Sequence, residues 1–254
     1  MCLVLIDVHC HANLYLELGQ LIKDSHNAGV EKVIAVSMSV ISQKRILELC
    51  DLYDLFYPSL GIHPEEIQRN KQIENMIESV EQLIRNNKKK ICCIGEIGLD
   101  HHFIKDRETY PLQKKVFNLM LSIAQDLDLP VNLHTKGAEK EVFELLPSYN
   151  LSNVNIHWYS GPEQFLKEGI ERGYYFSITP ALKYSPLVRK TVEIVDINHI
   201  LLESDGPIKY TNETGTPAMI KEVLREISSI KSISLKELEH KIHSNTKKIF
   251  PKIF

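Results

Sequence analysis

Eight short apolar, β-prone runs recur along the 254-residue chain, each followed by a longer stretch with helical periodicity. This alternation restricts the fold more than any other feature. The runs are Leu3–Val8, Lys32–Val36, Leu55–Leu60, Ile91–Ile94, Pro130–Leu133, Val154–Ile156, Tyr174–Ser177 and His199–Leu202. Between them lie amphipathic segments such as "IENMIESVEQLIRNN", where Ile73, Ile77, Val80 and Ile84 repeat at three and four. "ETYPLQKKVFNLMLSIAQDL" is similar and stops near Pro130, which opens the next strand instead of extending the helix. Two more helices are expected near Pro217–Ile227 and Leu235–Ile249. Unbroken strand–helix alternation predicts a parallel sheet, and eight repeats favour closure into an α/β (β/α)8 TIM barrel. An open doubly wound sheet is the alternative, but no G-x-G-x-x-G follows the first strand. With no repeat, low-complexity tract or linker, residues 1–254 read as a single domain.

At 43% hydrophobic residues the chain can bury a sizeable core, and its net charge of −3 provides no global positive field for nucleic acid. A polyanion would have to be captured locally, by a few cations or by metal. Cys2, Cys10, Cys50, Cys92 and Cys93 show no framework spacing and read as reduced thiols, with Cys92 and Cys93 expected on opposite faces of a strand. "MCLVLI" lacks a basic leader, and no run approaches a membrane span, so a cytoplasmic protein without membrane association is expected. No segment calls for an obligate protein partner. The "KKK" at 88–90 precedes a strand and reads as a solvated run on the face opposite any active site.

Chemistry in such barrels sits at the C-terminal strand ends. The first run ends in Asp7, His9 and His11, the third in His63, and the fourth in Glu96 and Asp100. His134 and Lys136 follow the fifth, His157 the sixth, and Glu203 and Asp205 the eighth. Five of the 11 histidines thus gather with carboxylates on one rim, which points to metal. Alternate strand residues share a face, so His9 and His11 point inward and can chelate one cation while Cys10 points away. Asp7 on the same side is either a ligand or the acceptor that fixes a histidine tautomer. Glu96 can bridge to a second cation held by His134 and His157, since a carboxylate has two oxygens. Asp205 can bind one metal and take a proton from a nucleophilic water, giving hydrolysis without a covalent enzyme intermediate. Such ligands suit Zn²⁺, Mn²⁺, Fe²⁺ or Co²⁺ better than Ca²⁺. Ser160 and Ser204 lack a G-x-S-x-G setting, and no Walker A motif occurs.

The ordered set "IDVHCH", "GIHP", "IGEIGLD", "LPVNLHTKGA", "IHWYSG" and "LLESDGP" resembles the TatD family of metal-dependent hydrolases, over nearly the whole chain. The resemblance implies two divalent ions (Zn, Mn or Mg): one on His9, His11 and Glu96, the other on Glu96, His134 and His157, with Asp205 as further ligand and proton acceptor. It also implies deoxyribonuclease-like cleavage of phosphodiester bonds in DNA, single-stranded or at strand ends, with His63 and Lys136 facing substrate. Departures from the family pattern are Glu65 after "HP", Lys136 where arginine is common, and "GPIKYTNETGTPAMI" without the usual arginine, leaving Lys209 and Tyr210 as possible contacts. His101 and His102 occupy a usually aromatic site, and Trp158 or Tyr159 could stack on bases. Hydrolysis of a small phosphoester, amide or lactone is the alternative activity, and a non-catalytic metal binder a third.

Overall fold

The structure, a computed structural model, describes residues 4–254; Cys2 and Leu3, the first residue of the first predicted strand, lie outside the described residues. Eight strands follow one another around the molecule in chain order, every neighbouring pair parallel. They are β1 Leu5–Cys10, β2 Val30–Val36, β3 Phe56–Leu60, β4 Cys93–Gly98, β5 Val131–His134, β6 Val154–His157, β7 Tyr175–Ile178 and β8 Ile200–Leu202. The predicted (β/α)8 barrel is therefore present. β1 and β4 extend further towards their C-termini than expected, so that His9 and Glu96 lie within strands.

Helices α1 Leu18–Ala28, α2 Val40–Leu52, the short α3 Pro64–Arg69, α4 Ile73–Asn86 and α5 Tyr110–Leu127 cover the first half. α6 Glu139–Leu145, α7 Glu163–Glu171, α8 Pro186–Ile194, α9 Ile220–Lys231 and α10 Leu235–Ile249 cover the second. In α4 the periodic Ile73, Val80 and Ile84 are buried, as their spacing requires. α10 has the predicted bounds, is capped by the Ser234 side chain on the Glu237 N–H, and buries Leu238, Ile242 and Ile249.

The seam between β8 and β1 is closed at the C-terminal rim by hydrogen bonds beyond the strand ladders. The Asp205 N–H donates to the His9 carbonyl (2.9 Å), and the His11 N–H to that of Gly206 (2.8 Å). The Ser204 N–H donates to Asp7 Oδ1 (2.9 Å). These bonds bring the two ends of the chain's chemistry together.

At the opposite end, Ile249, Phe250 and Ile253 plug the barrel against Ile6, Val8, Ile34, Val36 and Leu201. Truncating the fully buried Phe250 to alanine is expected to cost about 3–5 kcal/mol, read as a lowered urea midpoint. Cys92 and Cys93 belong to the same cluster, with sulfurs 4.0 Å apart. The expectation of opposite faces fails because Cys92 precedes the ladder, which starts at Cys93. Lys88–Lys90 form an exposed turn before β4, with Lys90 paired to Asp51 (2.6 Å). Among the described residues, no helix is long and apolar enough to cross a membrane.

Candidate metal centre

Glu96 projects from β4 into the barrel mouth almost completely buried, and its two oxygens face different imidazoles. Oε2 lies 3.4 Å from His9 Nε2 and 3.5 Å from His11 Nε2. Asp205 Oδ1 approaches the same two nitrogens at 3.6 and 3.4 Å. A tetrahedral ion with bonds of about 2.1 Å separates its ligand atoms by about 3.4 Å. The spacing of each carboxylate oxygen from these two nitrogens thus suits ligands of a small divalent ion, and His9, His11 and Glu96 form a triad able to share one. His9 Nε2 is buried without a hydrogen-bond partner, a cost that a bound ion removes.

Oε1 of Glu96 faces His134 Nδ1 at 2.9 Å, His157 Nε2 at 3.6 Å and His63 Nε2 at 3.4 Å. The fold thus brings together His9, His11, His63, Glu96, His134, His157 and Asp205, from six strand ends, and several triads of them have ligand atoms close enough to share one ion. The field is strongly negative. Burial opposes charge on His9, yet Glu96 and Asp205 carry its pKa up to about 10. Burial also pushes the Glu96 carboxyl up, but His63 and His9 hold it well below the carboxylate range. A site that would bind a proton this tightly is equally suited to a metal cation.

The outer nitrogens of His9, His11, His134 and His157 all face acceptors. His9 Nδ1 meets Asn132 Oδ1 (3.2 Å), His11 Nδ1 the Val36 carbonyl (3.3 Å), and His157 Nδ1 Glu203 Oε1 (3.1 Å). His134 turns the other way, with Nε2 on Asp100 Oδ2 at 2.8 Å. Asp100 Oδ1 in turn accepts the backbone N–H groups of His102 and Phe103. Burial raises the Asp100 carboxyl, but the bond to His134 and these amides bring it down to about 2. Asp100→Asn is expected to weaken metal binding about 10- to 100-fold, measured by calorimetric titration, because the amide no longer fixes the His134 tautomer.

Asp100 and Glu203 were visible at strand ends without a distinct task, and Asn132 was missed. The signal for Asn132 was its position two residues before His134 in "VNLH", repeated by Asn155 in "VNIH". Asn132 spans the barrel, donating to the Val8 carbonyl (2.9 Å) and accepting from Asn155 (3.1 Å).

Asp7 takes neither of its expected tasks. It is fully buried, and its Oδ1 accepts the backbone N–H groups of His9 (3.1 Å) and Ser204, so it ties β1 to the end of β8. Burial pushes its carboxyl up to about 7. Cys10 turns outward into the core, as the strand alternation requires. Tyr159 is unavailable for stacking because it is buried against Phe176 and bonded to the Pro162 carbonyl. Tyr210 is likewise buried, donating to the Ser204 carbonyl (2.7 Å), whereas Lys209 is exposed. His101 stacks on Tyr110 with rings 3.7 Å apart, and His102 is exposed. Lys136 is half-buried beside the centre. Its ammonium donates to the Trp158 carbonyl (2.6 Å) and Ser160 Oγ (2.8 Å), and burial lowers its pKa against the pull of Asp205 and Glu203.

Comparison with known proteins agrees with this geometry. The profile of the TatD related DNase family matches residues 6–251. The chain is 33% identical over 251 residues to the metal-dependent hydrolase MJ1582 of Methanocaldococcus jannaschii, covering 96% of both chains. It is 29% identical over 265 residues to human deoxyribonuclease TATDN3, covering 98% of this chain and 95% of the relative. The crystal structure of YjjV, a TatD homologue from Escherichia coli, superposes with a TM-score of 0.88 at 23% identity, over 97% of this chain and 98% of that one. An amidohydrolase from Saccharomyces cerevisiae shares the fold at a TM-score of 0.80 and 16% identity, over 98% and 100% of the two chains. With barrel, buried ligand set and family profile in agreement, this chain belongs to the TatD family of metal-dependent hydrolases.

Proposed function

We propose that the protein is a deoxyribonuclease that hydrolyses phosphodiester bonds with two divalent ions, one on each side of Glu96. The observation that carries this reading is the orientation of Glu96, whose two oxygens face separate imidazole sets. One ion would be held by His9, His11, Glu96 Oε2 and Asp205, the other by Glu96 Oε1, His134 and His157. Bound there, divalent ions polarise a phosphoryl oxygen and lower the pKa of water. Asp205 would accept the proton of the attacking water. Its carboxylate is aimed by a backbone in the left-handed region (φ 47°) and by the N–H bond to His9.

Lys136 supplies the local positive charge that a protein of net charge −3 needs at this spot. Two of its three ammonium protons are used on the loop after β6, and the third is free to meet a phosphate. A polymeric substrate is supported by the rim, where Leu14, Leu16, Phe103, Tyr184 and Ile208 are exposed on loops after β1, β4, β7 and β8. Apolar and aromatic groups around a cationic site suit the faces of unpaired bases. The DNase description of the family and the name of the human relative point the same way.

The test is to add Mg²⁺, Mn²⁺ or Zn²⁺ separately to metal-stripped protein with a labelled single-stranded oligonucleotide, with chromogenic phosphoesters in parallel. Metal-dependent cleavage of the oligonucleotide is expected, with a raised KM in Lys136→Ala. Cleavage of the small esters alone would replace this reading with a small-molecule phosphoesterase.

A further inference from the structure

Glu203, directly after β8, is fully buried, and one of its oxygens carries two bonds. Oε1 accepts the Nδ1 proton of His157 at 3.1 Å and the backbone N–H of Trp158 at 2.8 Å. A carboxylate oxygen has lone pairs enough for both donors. The Glu203 backbone is bonded to the Ile178 carbonyl of β7 (3.1 Å), so its side chain reaches past the end of β7 to the loop after β6.

The first bond belongs to the metal centre. It keeps the His157 proton on Nδ1 and leaves the lone pair on Nε2, which faces Glu96 Oε1 at 3.6 Å. The second belongs to a turn that does not form by local preference. Trp158 has φ 40°, in the left-handed region that a residue with a Cβ avoids, so tertiary contacts must hold it there. Glu203 holds its N–H. Tyr210 lies against its ring at 5.7 Å and is itself bonded to the carbonyl of Ser204, the neighbour of Glu203.

The far side of the same turn seats Lys136. The ammonium donates to the Trp158 carbonyl (2.6 Å) and to Ser160 Oγ (2.8 Å), and it lies 5.0 Å from the centre of the indole. The N–H of Trp158 thus faces the carboxylate that orients a metal-binding imidazole, while its carbonyl faces the cation beside the centre. Rotating φ out of the left-handed region would break one bond or the other.

We propose that Glu203 is a positioning residue with two tasks on one oxygen: it fixes the His157 tautomer for a metal ion, and it locks the Trp158 turn that seats Lys136 for the substrate phosphate. The second task rests on the phosphodiester reading above. Metal and anion binding then depend on one side chain that touches neither the ion nor the substrate.

The test uses full-length, metal-stripped wild type, Glu203→Ala, Glu203→Gln, Lys136→Ala and the double variant Glu203→Ala/Lys136→Ala. Calorimetric titration is expected to show Mn²⁺ binding weakened about 10- to 100-fold by Glu203→Ala, with or without Lys136. Inorganic phosphate is then titrated into the proteins saturated with Mn²⁺. Lys136→Ala is expected to lose about 10- to 100-fold in phosphate affinity, the range for one hydrogen bond to a charged group. Glu203→Ala should lose a comparable factor by itself and nothing further in the double variant, because it acts through Lys136. Glu203→Gln keeps an acceptor oxygen and should recover most of both affinities. Undiminished Mn²⁺ affinity in Glu203→Ala would overturn the first task. Equal losses of phosphate affinity from Glu203→Ala with and without Lys136 would overturn the second, as would failure of the loaded wild type to bind phosphate.

Trp158 is the only tryptophan of the chain, so its emission reads this turn without any change at Glu203. Phosphate is expected to alter the emission of Mn²⁺-loaded wild type, by drawing on the ammonium over the ring, and to leave that of Lys136→Ala unchanged. Wild-type emission indifferent to bound phosphate would separate the turn from Lys136 and overturn the proposal. None of these readings requires DNA cleavage, so a wild type inert on oligonucleotides would remove the nuclease reading while the role of Glu203 is still decided.

Discussion

Asp205→Asn is expected to lower kcat for phosphodiester cleavage by about 10²- to 10⁴-fold, the range for loss of a general base, while the protein stays folded. Asparagine keeps the side-chain shape and tolerates the left-handed backbone that residue 205 adopts. The backbone bonds are also retained: the residue 205 N–H still reaches the His9 carbonyl, and its own carbonyl still accepts from Ile208 at 3.2 Å. What disappears is a carboxylate 3.4–3.6 Å from two imidazole nitrogens. An amide cannot take a proton from water, and it ligates a cation poorly. The measurement is kcat at saturating metal, with a thermal melt as the control for folding. Activity within a few-fold of wild type would show that the proton goes elsewhere.

Glu96→Gln is expected to weaken metal binding by more than about 100-fold, exceeding the effect of losing an outer hydrogen-bond partner, because one side chain contributes to both halves of the centre. Metal content after dialysis and calorimetric titration read this directly. The same substitution has a signature without metal. Glu96 is the strongest influence raising the pKa of His9, against burial, to about 10 from an ordinary 6.5. A raised histidine pKa contributes stability that is fully present below 6.5 and is lost as pH rises towards 10. The Glu96 carboxyl is itself held below its ordinary 4.5, so its contribution is present above that pH and is lost in acid. The metal-free wild type should therefore exceed Glu96→Gln in Tm most clearly between about pH 4.5 and 6.5, and the gap should close towards pH 10. A Tm difference that does not vary with pH would show that His9 is not protonated by this pairing.

The barrel was legible in the linear pattern because its signals are local. Strand length, helical periodicity and the alternation of faces depend on neighbours in sequence, and α10 shows how far this reaches, with Leu235–Ile249 bounded by Ser234 and Pro251. The residues that converge were legible too, because a barrel collects the C-terminal ends of its strands at one mouth. Contacts across the barrel were not. Asn132 meets His9 across 123 residues and Glu203 meets His157 across 46, and only closure of the sheet places those atoms within hydrogen-bond reach. Spacing put Asp7 on the same face as His9, yet its Oδ1 is occupied by two backbone amides, one from the far end of the chain. Tyr159 shows the same limit, since whether an aromatic after a strand meets solvent or the core depends on a neighbouring strand, here β7 with Phe176. Residue type and period record which face a side chain takes. Which atom it meets is settled when distant segments pack, as where Glu96 faces histidines from four other strand ends.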